Sequence, residues 1–121
     1  MLIKIKNKDS LEFDDFVFKC SVGKNGIKKK KTEGDKSTPK GKFNIGSVYY
    51  RPDRINKPAT SLKTKIIKKK MCWCNDPKSK FYNREININN YVKYEKLYRK
   101  DYKYDLLLVI KYNYNKRIFG A

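Results

Sequence analysis

Glu33-Gly34-Asp35-Lys36-Ser37-Thr38-Pro39-Lys40-Gly41-Lys42-Phe43 runs straight into Asn44-Ile45-Gly46-Ser47-Val48-Tyr49-Tyr50, and this junction sets the reading of the whole chain. The first part is polar and punctuated by Gly34, Pro39 and Gly41, so it reads as a structured loop. Thr38-Pro39 imposes an extended bend, because proline disfavours helical geometry in the residue before it, and Gly41 admits a tight turn. From Phe43 to Tyr50 the pattern alternates, which is the period of a strand.

The same period recurs on both sides of the junction. Leu2 to Ile5 alternates apolar residues with lysine and reads as a short strand, followed by a turn at Asp9-Ser10. Leu11 to Val22 carries Phe13, Phe16, Val17, Phe18 and Cys20 and is expected to form a second strand with one buried face. Gly23-Lys24-Asn25-Gly26 has the Asn-Gly pair that supplies the positive φ angles of a hairpin turn. Lys28 to Lys42 is expected to be loop, and Arg51 to Thr60, with two prolines, irregular. Lys65 to Lys70, around Ile66-Ile67, gives a weak edge-strand signal whose lysines oppose edge-to-edge pairing.

Asn75-Asp76-Pro77 marks a turn, and Glu85-Ile86-Asn87-Ile88 alternates as a short strand. Tyr91, Tyr94, Leu97 and Tyr98 fall at i, i+3, i+6 and i+7, which predicts a short amphipathic helix over 90–99 starting after Asn89-Asn90. Asp105 to Tyr112 is the most apolar segment and reads as a central strand. With turns at regular intervals and neither repeat nor linker, the expectation is a single, mostly β domain over 1–121 with one short helix. Nine residues, Asn113 to Ala121, follow the last strand. A central strand needs neighbours on both sides, so the domain is expected to be incomplete at its C-terminal end.

Composition narrows the chemistry. The 121 residues hold 31 Lys+Arg against 12 Asp+Glu, a net charge of +19, and no histidine. Without histidine the chain has no Ser-His-Asp or Cys-His pair and no histidine-ligated metal site. Lysine (26), asparagine (11), isoleucine (11) and tyrosine (10) are all encoded by AT-rich codons, so coding bias accounts for much of the lysine excess. The competing reading is an electrostatic footprint for a polyanion. Only five of the cations are arginine, the residue that reads base edges and clamps phosphates, which weighs against nucleic acid.

Cys20, Cys72 and Cys74 are too few for a disulfide framework, and Cys72-Trp73-Cys74 lacks the spacing and partners of a zinc site. No metal or other cofactor is expected. The N-terminus alternates instead of carrying a signal-type apolar run, and Leu106 to Ile110 is far too short to span a bilayer. The sequence leaves the compartment and the oligomeric state open.

Seven segments occur in order. They are Cys20-Ser21-Val22-Gly23, Glu33-Gly34-Asp35, Thr38 to Phe43, Tyr50-Arg51-Pro52-Asp53-Arg54, Trp73-Cys74-Asn75-Asp76-Pro77, Tyr82-Asn83-Arg84, and Tyr104 to Ile110. Together they resemble the N-terminal and central part of the L,D-transpeptidase catalytic domain, the YkuD-like family of bacterial enzymes that remodel peptidoglycan. The resemblance runs from about residue 10 to about residue 113. It implies a β-sandwich or barrel, a muropeptide substrate outside the cytoplasmic membrane, and cysteine acyl transfer. In that chemistry a thiolate attacks a stem-peptide carbonyl to form a thioester, which an amine then resolves into a cross-link.

The family places its histidine, and a Ser/Thr-x-Gly-Cys segment, toward the C-terminal end of the domain. No position here matches them, so no catalytic residue carries over and the chain as given is expected to be inactive. Cys72, beside Lys68-Lys69-Lys70, is the cysteine whose thiol neighbouring cations can acidify, yet it has no histidine as base.

For substrate binding the candidates are Arg51, Arg54, Tyr82 and Arg84. Each has a plainer role. Arg51, Asp53 and Arg54 suit a local ion-pair network as well as an anionic muropeptide, and Tyr82-Asn83-Arg84 suits a turn as well as a peptide groove. Lys28 to Lys31 suits a solvated run, and Tyr91, Tyr94 and Tyr98 suit packing on the sheet. A non-enzymatic basic module holding a polyanion, wall polymer or nucleic acid, is the alternative to a cell-wall enzyme scaffold.

Overall fold

Short alternating runs separated by turn residues give short strands, and in the computed structural model, which describes residues 2–29 and 32–114, they form several small sheets. Among the described residues the regular structure is all strand, with no helix and no closed barrel. The chain divides into two compact units, Met1–Gly41 and Lys42–Ala121.

The first unit opens with an antiparallel meander of β1 (Ile3–Ile5), β2 (Ser10–Phe13) and β3 (Phe16–Lys19). The single strand expected over Leu11 to Val22 is therefore two. The chain reverses at Asp14-Asp15, with Asp14 in the left-handed region at φ 50°. Aspartate is disfavoured inside strands and tolerates this region better than most residues, so two in succession break the strand. Phe13 lies opposite Phe16 and Leu11 opposite Phe18, so these four share one face of the sheet. The expected buried face is not found on β3. As an edge strand it has a neighbour on one side only, and all four of its residues are exposed, Val17 at 67%.

The Gly23–Gly26 turn is present, with the Gly26 N–H donating to the Gly23 carbonyl at 2.8 Å and Gly26 at φ 83°. It does not make a hairpin. β4 (Ile27–Lys28) pairs in parallel with β5 (Thr38–Pro39), and parallel partners need an intervening crossover. The loop expected over Lys28 to Lys42 thus contains a short strand. Lys30 and Lys31 of the lysine run, and the tail 115–121, lie outside the described residues.

Asp35 organises this crossover. Its carboxylate accepts from the Thr32 N–H (2.8 Å), the Ser37 N–H (2.9 Å) and the Ser37 hydroxyl (2.6 Å). The Gly23 N–H donates to Thr38 Oγ1 at 2.7 Å. The approach there is so close that a Cβ on Gly23 would lie 2.5 Å from the Lys36 carbonyl oxygen and 2.7 Å from the Ser37 Cα. Backbone cannot yield as a flexible side chain can, so glycine is required.

The second unit carries β6 (Ile45–Tyr50), β7 (Thr64–Ile66), β8 (Met71–Cys74), β9 (Glu85–Asn87), β10 (Tyr94–Lys96) and β11 (Leu106–Ile110). They form two three-stranded sheets, ordered β11-β6-β7 and β10-β8-β9. The first is mixed, β11 running antiparallel and β7 parallel to β6. The second is antiparallel throughout.

Two expectations are corrected here. Among the described residues Leu106 to Ile110 has a partner on one side only, β6, which is the central strand of this sheet. Burial alternates along it: Leu107 and Val109 pack on the core while Leu106, Leu108 and Ile110 are exposed. Residues 90–99 form no helix. Tyr94 pairs with Cys74 and Lys96 with Cys72, making β10, and Tyr91 is 95% exposed. A ten-residue helix would be marginal on its own, and tyrosine favours strands, so pairing with β8 wins. Asn89 caps only a turn, accepting from the Tyr91 N–H at 2.9 Å.

Strand β8, for which the sequence offers no clear period, is the spine of its sheet. Cys72 and Cys74 are fully buried there. The core is Tyr49, Ile67, Met71 and Leu97, with Trp73, Tyr98, Tyr104, Leu107 and Val109 packed against it. Among the described residues no helix is long and apolar enough to cross a membrane.

Candidate functional site

Two cross-strand pairs in the second unit build a cleft. On β6 and β7 Tyr49 lies opposite Lys65, and on β8 and β9 Trp73 lies opposite Glu85. Side chains directly opposite one another on neighbouring strands share a sheet face. With Arg84 and Tyr114 these four line an open cavity of about 240 Å³.

Glu85 is the cleft's electrostatic centre. Its Oε1 accepts from the Tyr49 hydroxyl at 2.5 Å and from Lys65 Nζ at 3.2 Å. Lys65 Nζ also sits 5.4 Å from the centre of the Tyr49 ring. Burial, and then the bond to Glu85, push the Tyr49 pKa well above its ordinary value of 10.0. Tyr49 therefore stays a neutral donor, because ionising it would put a second negative charge beside the carboxylate.

The opposite wall is fastened by Asn83, which adopts a left-handed φ of 59°. Its Oδ1 accepts from the Trp73 indole at 3.1 Å, and its Nδ2 donates to the carbonyls of Tyr112 (3.1 Å) and Asn113 (2.9 Å). Arg84 donates to the Asn83 carbonyl at 3.0 Å and to the Tyr114 carbonyl, and its guanidinium lies 4.4 Å from the Tyr114 ring centre. The walls thus offer two cations, one carboxylate and the aromatic faces of Trp73 and Tyr114.

The four residues expected at a substrate site have different surroundings. Arg84 lines the cleft. Arg51 is 3% exposed; it grips Asp53 with two bonds (2.9 and 2.8 Å), donates to the Arg99 carbonyl at 2.8 Å and lies 3.6 Å over the Tyr98 ring. This pairing holds the Asp53 carboxyl below its ordinary range. Arg54 donates to the carbonyls of Asp101 (2.6 Å) and Lys100 (2.9 Å) and to Asp105 Oδ1 (2.9 Å). Both arginines therefore fasten the 99–105 segment that leads into β11. Tyr82 is buried. Tyr49, Lys65, Trp73 and Glu85 were not singled out from the sequence as site residues; the one available signal was that Trp73 is the chain's single tryptophan.

Cys72 and Cys74 are not among the residues that line the cleft. The Cys72 thiol donates to the Ile86 carbonyl at 3.4 Å, and burial pushes its pKa up, the opposite of what the neighbouring lysines would do. No cluster of three or more histidine, cysteine or acidic residues able to hold a metal occurs among the described residues.

The model of one family, the L,D-transpeptidase catalytic domain (YkuD), matches residues 5–104. No curated protein and no solved structure matches the chain.

Proposed function

The chain belongs to the L,D-transpeptidase catalytic domain family, and from that premise we propose that these 121 residues, read as one domain, hold the stem peptide of a peptidoglycan muropeptide in the Glu85 cleft without themselves transferring acyl groups. The supporting observation is the lining of that cleft. Lys65 and Arg84 suit the carboxylates of a peptide, Glu85 suits an amine, and Trp73 and Tyr114 supply apolar walls that shed water around them. Among the four residues expected at the substrate, Arg84 is the one assigned to contact it. Arg51, Arg54 and Tyr82 hold the frame.

The inactivity rests on chemistry. Acyl transfer needs a thiolate and a base, whereas the 121 residues contain no histidine and the Cys72 thiol is raised. A muropeptide tetrapeptide titrated into the chain should shift the Trp73 indole resonance saturably, and Lys65→Ala with Arg84→Ala should weaken binding at least fivefold. Absence of saturable shifts, or binding untouched by the double variant, refutes the assignment. Intact-mass spectra should show no acyl adduct on Cys20, Cys72 or Cys74; an adduct on any of them refutes the inactivity. The alternative, a module that holds a polyanion through its lysines, requires a surface separate from this cleft.

A further inference from the structure

Between Asp53 and Asp76 the chain carries Arg54, six lysines and no carboxylate. AT-rich coding adds lysine, and because acidic codons need only their first base to be G, it lowers their number along the chain without emptying one stretch of them. The clearing therefore needs its own cause, and the fold gives these lysines a common location. β7 is an edge strand, paired on one side with β6. Lys63 enters it, and Lys68-Lys69-Lys70 form the turn that leaves it, closed by the Met71 N–H donating to the Lys68 carbonyl at 3.0 Å. All four side chains are exposed.

The row is rigidly mounted. The Lys63 carbonyl accepts from the Val48 N–H, the Ile67 N–H donates to the Tyr50 carbonyl, and the Lys70 carbonyl accepts from the Ile88 N–H, each at 2.8 Å. Ile67, between the two lysine groups, is buried in the core. Lys65 belongs to the cleft, where it pairs with Glu85, whereas Lys63, Lys68, Lys69 and Lys70 have no ion-pair partner among the described residues. Like charges carried along one strand edge without counter-charges repel, so an anion is the complement the surface lacks.

Residues 54–70 also contain no aromatic, so this fringe has charge but no stacking platform. Lysine is a compact point charge, suited to phosphate and lacking the fork that reads bases. We propose that the Lys63, Lys68, Lys69 and Lys70 edge binds an extended phosphodiester polymer through its phosphates alone. These four lysines are not among the residues that line the Glu85 cleft, so either assignment can fail without the other.

The test uses the full chain with two probes, a glycerol-phosphate polymer and oligothymidylate, followed by fluorescence anisotropy across a salt series. Substituting Lys63, Lys68, Lys69 and Lys70 by Gln should weaken binding at least tenfold at 50 mM salt. The log–log salt slope should fall by about 3, since each neutralised phosphate contributes about 0.7. The four-residue Arg version should retain binding, and the polymer should raise the melting temperature of the parent chain. A control with Lys78, Lys93, Lys100 and Lys103, all exposed, changed to Gln should lose less than threefold. The proposal is overturned if neither probe binds, or if the control loses as much as the edge variant. It is also overturned if oligothymidylate binds more than tenfold tighter per phosphate than the polymer, because bases would then contribute. Equal binding per phosphate, or a preference for the polymer, supports it, and a preference identifies the polymer as the source.

Discussion

The unit Met1–Gly41 and the unit Lys42–Ala121 are held by different forces. The second encloses a core of Tyr49, Ile67, Met71 and Leu97, with fully buried Cys72 and Cys74 beside it. The first has no buried hydrophobic residue among those described. Its fixed points are polar, namely the Asp35 carboxylate with its three donors and the Gly23 N–H on Thr38 Oγ1. The segment with the most distinctive motif, Glu33 to Phe43, therefore lies mostly where hydrogen bonds and backbone approach decide the conformation. Motif residues there are constrained by donor geometry, which a substitution cannot approximate. Core residues are constrained by volume, which it often can.

The contrast is testable by perturbing each side. Leu97→Ala removes a fully enclosed side chain, and chemical denaturation should show a loss of about 3 kcal/mol. A loss under 1 kcal/mol would mean that the core is not where the second unit's stability resides. Asp35→Ala should cost about 2 kcal/mol, because it leaves three donors to seek water. Hydrogen exchange should quicken at Asn25, Ser37 and Thr38; unchanged exchange there would show that the crossover is held by something other than this carboxylate.

The smallest effect is the pH response of Asp101, an exposed carboxylate in the second unit. Its hydrogen bonds from Arg99 lower its pKa from 3.8 to about 2. Its contribution to stability is thus present above pH 4 and is lost as pH falls through about 2. An NMR titration should find that low midpoint, and Arg99→Gln should return it toward 3.8; a midpoint unmoved by the substitution would assign the shift to the Lys103 N–H instead.

Period and turn chemistry made much of the strand inventory legible. Ile3–Ile5, Ile45–Tyr50 and Glu85–Asn87 stand where alternation placed them, and Thr64–Ile66 overlaps the weak signal at Lys65 to Lys70. The family was legible too, because seven short segments in order carry more information than any of them alone. Pairing was not legible. Nothing local names a strand's partners: Leu106 to Ile110 reads as central and, among the described residues, pairs on one side with β6, while i, i+3 spacing over 91–98 was outweighed by partnership with β8. The cleft was hidden for the same reason: Tyr49 and Glu85 lie 36 residues apart and meet only because two sheets do.

That meeting has an asymmetric consequence. Tyr49 and Lys65 belong to one sheet, and both bonds end on one oxygen of Glu85 in the other. Losing either donor leaves a second restraint in place, whereas losing the acceptor releases both together. The tie between the sheets has a spare on one side and a single point of failure on the other. Sequence drift should accordingly be tolerated at Lys65, whose other contacts are few, well before it is tolerated at Glu85.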